Sequence, residues 1–160
     1  MNQQIRLLFV CLGNICRSPT AEGIMNHLIK KEGLQGEIIC DSAGLHGYHA
    51  GEMSDPRTRE HALKRGIKLT SIARALNPKY DFDRFDYILA IDDSIYFSLQ
   101  EKNDDIKFRK KILKICDFCI ERKDKEVPDP YNGSEEDFEL VLDILQDACQ
   151  GLLDFLKRNK

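Results

Sequence analysis

The chain has 160 residues, of which 42% are hydrophobic, enough for one domain with a core of its own, and no repeat, linker or low-complexity stretch divides it. A formal net charge of −3 argues against the basic face that nucleic-acid binding needs, and no apolar run reaches the length of a membrane span. Six cysteines at irregular spacing suit the thiols of an intracellular protein better than a disulfide framework, and no signal-peptide core follows Met1, so the cytoplasm is the expected location.

Strand-like apolar runs alternate with helical patterns along the chain, which predicts a parallel sheet covered by helices on both faces. Four strands are expected, over residues 5–11, 37–42, 85–91 and 112–116. Ser18 as N-cap and Pro19 in the first helical position announce a helix over 19–31, with Ala21, Ile24, Met25 and Leu28 facing inward and Gly33 beyond its end. A second helix is expected from Asp55-Pro56 to Gly66, and a third after Asp92-Asp93. The last starts at Ser134, three residues before Asp137, and carries Phe138, Val141, Leu142, Leu145 and Leu152 on one side. The basic residues Lys107, Arg109, Lys110 and Lys111 read as a solvated face.

Between the first strand and the first helix runs Cys11-Leu12-Gly13-Asn14-Ile15-Cys16-Arg17-Ser18. Such a loop ends at a helix N-terminus, where free backbone N–H groups and the positive dipole end attract an oxyanion and favour Cys11 as a thiolate. Arg17 adds a planar fork that grips two phosphate oxygens at once, which a lysine does not reproduce. Gly13 and Asn14 tolerate positive φ and shape the turn. In open parallel sheets ligands sit beyond the carboxyl ends of the strands, where this loop falls.

A thiolate nucleophile in an oxyanion cradle also has use for a carboxyl group as proton donor. Asp129, held between Pro128 and Pro130 in a segment that ends at Tyr131, is the candidate.

The stretch from Val10 to Pro19 resembles the signature of the low-molecular-weight protein tyrosine phosphatases, and Asp129-Pro130-Tyr131 resembles the general-acid loop of that family. The resemblance spans residues 1–160 as a single phosphatase domain and implies an α/β fold, a four-stranded parallel sheet in the order 2-1-3-4 with helices on both faces and the phosphatase loop after strand 1. It implies hydrolysis of phosphotyrosine through a cysteinyl phosphate, with Cys11, Arg17 and Asp129 catalytic and with Leu12, Gly13, Asn14, Ile15, Cys16 and Ser18 completing the phosphate loop. No metal and no cofactor enter this chemistry. Ser18 is assigned a hydrogen bond to the Cys11 sulfur, and Asn14 the bonds that keep the loop amides convergent. Tyr48 and Tyr131 are assigned the walls of an aromatic slot, and Ser42 and Asp92 supporting positions. The implied partners are phosphotyrosine-containing proteins or peptides, with inorganic phosphate and similar oxyanions as product or inhibitors.

The same loop leaves alternatives. Relatives acting on phosphoarginine tend to have threonine where Ile15 stands, so isoleucine argues for tyrosine. Arsenate reductases on this fold use two further cysteines, and no cysteine lies between Cys40 and Cys116 to serve as that relay. A non-catalytic phosphopeptide module has no use for nucleophile, arginine and acid together. Cys16 either caps an oxidised Cys11 as a disulfide or simply packs as a small apolar residue. Ser71 replaces a histidine frequent in the family, which puts that part of the hydrogen-bond network in question, and Asn132 stands where many animal members have a second tyrosine. Cys116 and Cys119 lack a second ligand pair, His27, His46, His49 and His61 lack metal-ligand spacing, and His49 is the histidine expected to border the slot.

Overall fold

β1 (Ile5–Cys11) lies inside a four-stranded parallel sheet ordered β2-β1-β3-β4 in the computed structural model, which describes residues 3–159. β1 pairs with β2 (Ile38–Gly44) from Ile5 opposite Ile38 to Cys11 opposite Gly44, and with β3 (Tyr87–Ala90) from Leu7 opposite Tyr87. β4 (Ile112–Lys114) pairs with β3 on its other edge. Because successive side chains of a strand face opposite ways, Leu7 and Phe9 enter one core while Leu8 and Val10 enter another. Burial on both faces explains why β1 reads as an unbroken apolar run.

The first core is closed by α1 (Arg17–Lys31) and α6 (Glu135–Arg158), with α2 (Pro56–Lys64) contributing Ala62. The second is closed by α3 (Pro78–Arg84) and α4 (Asp93–Glu101) through Phe82, Ile95 and Leu99. α5 (Ile106–Arg109) is a single turn before β4. α6 begins where the Asp137 carboxylate accepts the Ser134 N–H at 2.7 Å, a capping arrangement that satisfies an otherwise orphaned donor. Further along, α6 crosses a 3-10 turn at Ile115–Phe118 so closely that a Cβ on Gly151 would lie 1.7 Å from the Phe118 carbonyl oxygen.

The expected strand order is observed, and four local expectations are corrected. α1 starts two residues earlier than predicted, so Ser18 is inside the first turn and Cys16 holds the N-cap position without a side-chain cap bond. Pro19 still costs nothing there, because the first helical amides have no partners within the helix. Cys116 falls in the 3-10 turn rather than at the end of a strand, since β4 stops at Lys114. α3 and α5 were not foreseen; the first opens at Asn77-Pro78 with Asp81 accepting the Asn77 N–H at 2.7 Å, the second at Asp105, which accepts the Lys107 N–H at 2.8 Å. The basic run is more than a solvated face: Lys111 Nζ donates to the Phe82 carbonyl at 2.8 Å and Arg109 Nε to that of Asn103 at 2.6 Å.

Candidate active site

The site begins at the carboxyl end of β1. The chain leaves the sheet at Cys11, turns through Asn14 at a φ of 60°, and enters α1 at Arg17. A left-handed asparagine is tolerated when its short side chain is bound locally, and here it is bound three times. Asn14 Nδ2 donates to Ser18 Oγ at 2.8 Å and to Ser42 Oγ at 2.9 Å, while its Oδ1 accepts the Arg74 backbone N–H at 2.9 Å. The turn then aims the Asn14 backbone N–H at Cys11 Sγ, 3.2 Å away. Ser18 Oγ lies 2.9 Å from the same sulfur. Ser18 therefore occupies the position expected of it as the sulfur's partner, although it does not cap the helix.

Gly44 explains how β2 closes against this loop. A Cβ there would stand 2.9 Å from both the Gly13 carbonyl carbon and the Leu12 oxygen, so only glycine fits. Beyond it, the N–H groups of Leu45 and His46 donate to the carbonyls of Cys11 and Leu12 at 2.9 and 3.2 Å. The carbonyls of Cys11 and Leu12 are thereby tied to the segment that follows β2.

Arg17 is buried, with 5% of its surface exposed, and its Nη1 donates to Asp92 Oδ2 at 2.7 Å and to the Val127 carbonyl at 2.9 Å. Asp92 also caps α4, accepting the Ile95 N–H at 2.8 Å on its other oxygen, so one carboxylate starts a helix and holds the arginine. Val127 in turn donates its N–H to the Ile91 carbonyl at 3.1 Å, which ties the segment leading to Asp129 to the end of β3.

A cavity of about 180 Å³ opens over the loop, lined by its residues from Cys11 to Arg17 except Asn14, and by His46, His49, Asp129 and Tyr131. Residues separated by more than a hundred positions thus meet at one sheet edge. Asp129 is exposed and accepts the Tyr131 N–H at 3.1 Å, a turn that fixes the carboxyl relative to the aromatic ring. Arg57 braces this turn: its guanidinium donates to the Tyr131 carbonyl at 2.9 Å and lies 5.6 Å from the Tyr131 ring centre. It is paired with Asp55 at 2.9 Å, and the Asp55 N–H donates to the Ile15 carbonyl at 2.8 Å. The Arg57 hydrogen bond holds the Asp55 carboxyl below its ordinary range. Arg57 and Asp55 therefore connect the acid segment to the phosphate loop, a role the sequence did not suggest for either.

The expectation that Tyr48 walls the slot is corrected. Its side chain is 84% exposed and does not line the cavity; its ring packs against His46 with centroids 4.3 Å apart. The turn through 47–51, closed by the Ala50 N–H on the Gly47 carbonyl at 3.1 Å, sends His46 and His49 to the cavity and leaves Tyr48 outside. Gly13 meets both imidazoles: a Cβ there would lie 3.2 Å from His49 Cδ2 and 3.5 Å from His46 Cε1. His49 was expected at the border of the slot and is found there; His46 was not.

Cys16 lines the cavity floor but is buried, and burial pushes its thiol up to about 12. Burial thus disfavours the Cys16 thiolate. Burial likewise raises Cys116 to about 12 and raises Cys119. Among the described residues no group of three or more His, Cys, Asp or Glu is arranged to hold a metal ion, and no helix is long and apolar enough to cross a membrane.

A cysteine at the end of a central parallel strand, under an arginine and a helix N-terminus, places this fold and site in the class of cysteine-based phosphatases. Residues 6–160 match the family described as low molecular weight phosphotyrosine protein phosphatase, and the chain belongs to that family of enzymes. It is 45% identical to a protein tyrosine phosphatase from Entamoeba histolytica, whose crystal structure superposes with a TM-score of 0.94 over 98% of this chain and 99% of that one. It is 37% identical to the low molecular weight protein-tyrosine-phosphatase YfkJ of Bacillus subtilis, over 98% of each chain. A drosophila arginine phosphatase shares the fold at 30% identity and a TM-score of 0.88, covering 96% of this chain and 98% of that one.

Proposed function

We propose that this enzyme hydrolyses phosphotyrosine in proteins through a phosphoryl group carried on Cys11. The observation that carries the reading is the sulfur itself. Cys11 Sγ lies 2.9 Å from the Ser18 hydroxyl and 3.2 Å from the Asn14 N–H, in a cavity that also presents Arg17 and Asp129.

Cys11 attacks phosphorus in line with the departing phenol, and the sulfur–phosphorus bond forms as the phosphorus–oxygen bond breaks. Asp129, protonated at this stage, gives its proton to the phenol oxygen. Arg17 and the amides at the start of α1 hold the three equatorial oxygens, in positions fixed beforehand by Asp92, Val127 and the Asn14 turn. Water then attacks the phosphocysteine with Asp129 as base, and Ser18 donates to the sulfur as it leaves. Inorganic phosphate is the product and competes for the same donors. No step calls on a metal or an organic cofactor.

Substrate choice follows from the walls. Tyr131 gives a flat apolar face at the mouth, and a phenyl phosphate is long enough to carry its phosphorus past it to Cys11, whereas phosphoserine is short. Ile15 lines the cavity as well, so its branched apolar side chain meets the substrate directly. A charged guanidinium phosphate would lose hydration against it without compensation. Six cysteines at irregular spacing in a chain of this length suit a cytoplasmic setting.

The test compares phosphotyrosine, phosphoserine and phosphoarginine peptides at equal concentration, with arsenate reduction alongside. Phosphotyrosine should lead in kcat/KM by about 10²-fold or more. Faster turnover of phosphoarginine, or thiol-dependent arsenate reduction, would overturn the substrate reading.

A further inference from the structure

The hydrogen-bond network beneath Cys11 ends on Glu22, a half-buried carboxyl one helical turn after Ser18, and the reaction above makes no use of it. We propose that Glu22 is a positioning residue for the phosphate loop: by accepting the hydrogen bond of the Ser42 hydroxyl, its carboxylate sets the direction of every hydrogen bond between Ser42 and the Cys11 sulfur. The proposal rests on the reading of Cys11 as nucleophile.

The argument follows the protons. The Arg74 N–H donates to Asn14 Oδ1 at 2.9 Å, so the amide can face only one way and its two hydrogens point at Ser18 and Ser42, 2.8 and 2.9 Å distant. Each serine accepts one of them and has a single proton left to give. The Ser42 proton goes to Glu22 Oε1 at 2.6 Å, a length typical of a hydroxyl on an ionised carboxylate. Ser42 then turns only lone pairs toward Asn14, and Ser18 has only the sulfur, 2.9 Å away, as the target of its own proton. An ionised Glu22 admits one arrangement of the whole chain of bonds. A protonated Glu22 admits others, because it can donate to Ser42 and turn the Ser42 hydrogen against the Asn14 amide. Asn14 would then lose one of the three bonds that hold it at a φ of 60°.

The groups facing Glu22 are Ser42, Asp41 and Cys40 from β2, and Arg74 from the segment before α3. Burial is the largest influence and Asp41 adds to it, while Ser42 and Arg74 favour the charge; the balance places the carboxyl at about 7. Glu22 is therefore charged above that pH and protonated below it. The ordered network belongs to the alkaline side, so the loop should tighten as pH rises through the neutral range. Residue 71, a serine where the family often has a histidine, is not needed to complete this network, whose far end is already an acid.

Two variants separate the acceptor from the charge. Glu22→Gln keeps a side-chain oxygen for Ser42 but does not titrate, and the step near neutral pH in the rate of Cys11 alkylation by iodoacetate should vanish. Glu22→Leu removes the acceptor; kcat for an aryl phosphate should fall about tenfold while KM moves less than about twofold, and in a Ser42→Ala background the same change should add almost nothing. A wild-type alkylation profile in Glu22→Gln would overturn the proposal, as would wild-type kcat in a folded Glu22→Leu. If Glu22→Leu fails to fold, the glutamine variant decides alone. Hydrolysis that survives Cys11→Ser would instead strike at the nucleophile, a failure distinct from this one.

Discussion

Cys11→Ser should abolish hydrolysis of an aryl phosphate, with a loss on the order of 10⁵-fold or more, and should still bind inorganic phosphate. The substitution exchanges a thiol for a hydroxyl, a far weaker acid, at an atom whose hydrogen-bond partners among the described residues are the Ser18 hydroxyl and the Asn14 N–H rather than a base. The anion-holding parts are untouched. Arg17 remains bound to Asp92 and Val127, and Asn14 remains anchored by Ser42 and Arg74. Serine is also smaller than cysteine in a position 3% exposed, so stability should change little. Steady-state turnover together with calorimetric titration of phosphate separates the two effects. Loss of phosphate binding along with turnover would mean that the variant had disturbed the loop rather than the chemistry.

Asp129→Asn should lower kcat by about 10²–10⁴-fold, and the loss should grow with the basicity of the leaving phenol. Asparagine keeps an oxygen to accept the Tyr131 N–H, so the brace from Arg57 through Tyr131 survives the change. What it lacks is an acidic proton. A phenol that leaves easily as an anion needs that proton least, so its hydrolysis should suffer least. Measuring kcat/KM across a series of substituted phenyl phosphates checks this. A uniform loss across the series would assign Asp129 to binding or positioning.

The site was legible in the sequence where chemistry and local structure coincide. Leu7 to Val10 fill both faces of a buried strand, Cys11 to Arg17 fit between that strand and a helix, and Asp129 stands between two prolines. Those seven-residue and three-residue patterns hold their meaning without knowledge of the fold. Glu22, Arg57, Asp55 and His46 do not, because each acts through a partner far away in sequence: Ser42 for Glu22, the Tyr131 carbonyl for Arg57, the Ile15 carbonyl for Asp55, the loop at Gly13 for His46. One signal was available. Glu22 follows Ser18 by four residues, which puts an acid on the helix face that carries the sulfur's partner.

Tyr48 and Ser18 show two ways in which local reading falls short. Tyr48 has the right residue type in the right segment, yet a single turn decides which of three neighbouring rings faces the cavity, and it chooses the histidines. Ser18 has the composition of an N-cap, but the loop must bring its amides to the anion, so the helix starts earlier and the serine turns to the sulfur instead. In both cases the demands of the site displace the ordinary preference of the residue.

The account stands most directly on the phosphoryl group borne by Cys11. Turnover of an aryl phosphate labelled in its phosphoryl group should be stopped within a few milliseconds by denaturant, and the protein mapped by peptide mass. The label is predicted on the peptide that contains Cys11, and it should be absent from Cys11→Ser treated in the same way. A labelled residue elsewhere, or active enzyme that carries no label at any time, would contradict it.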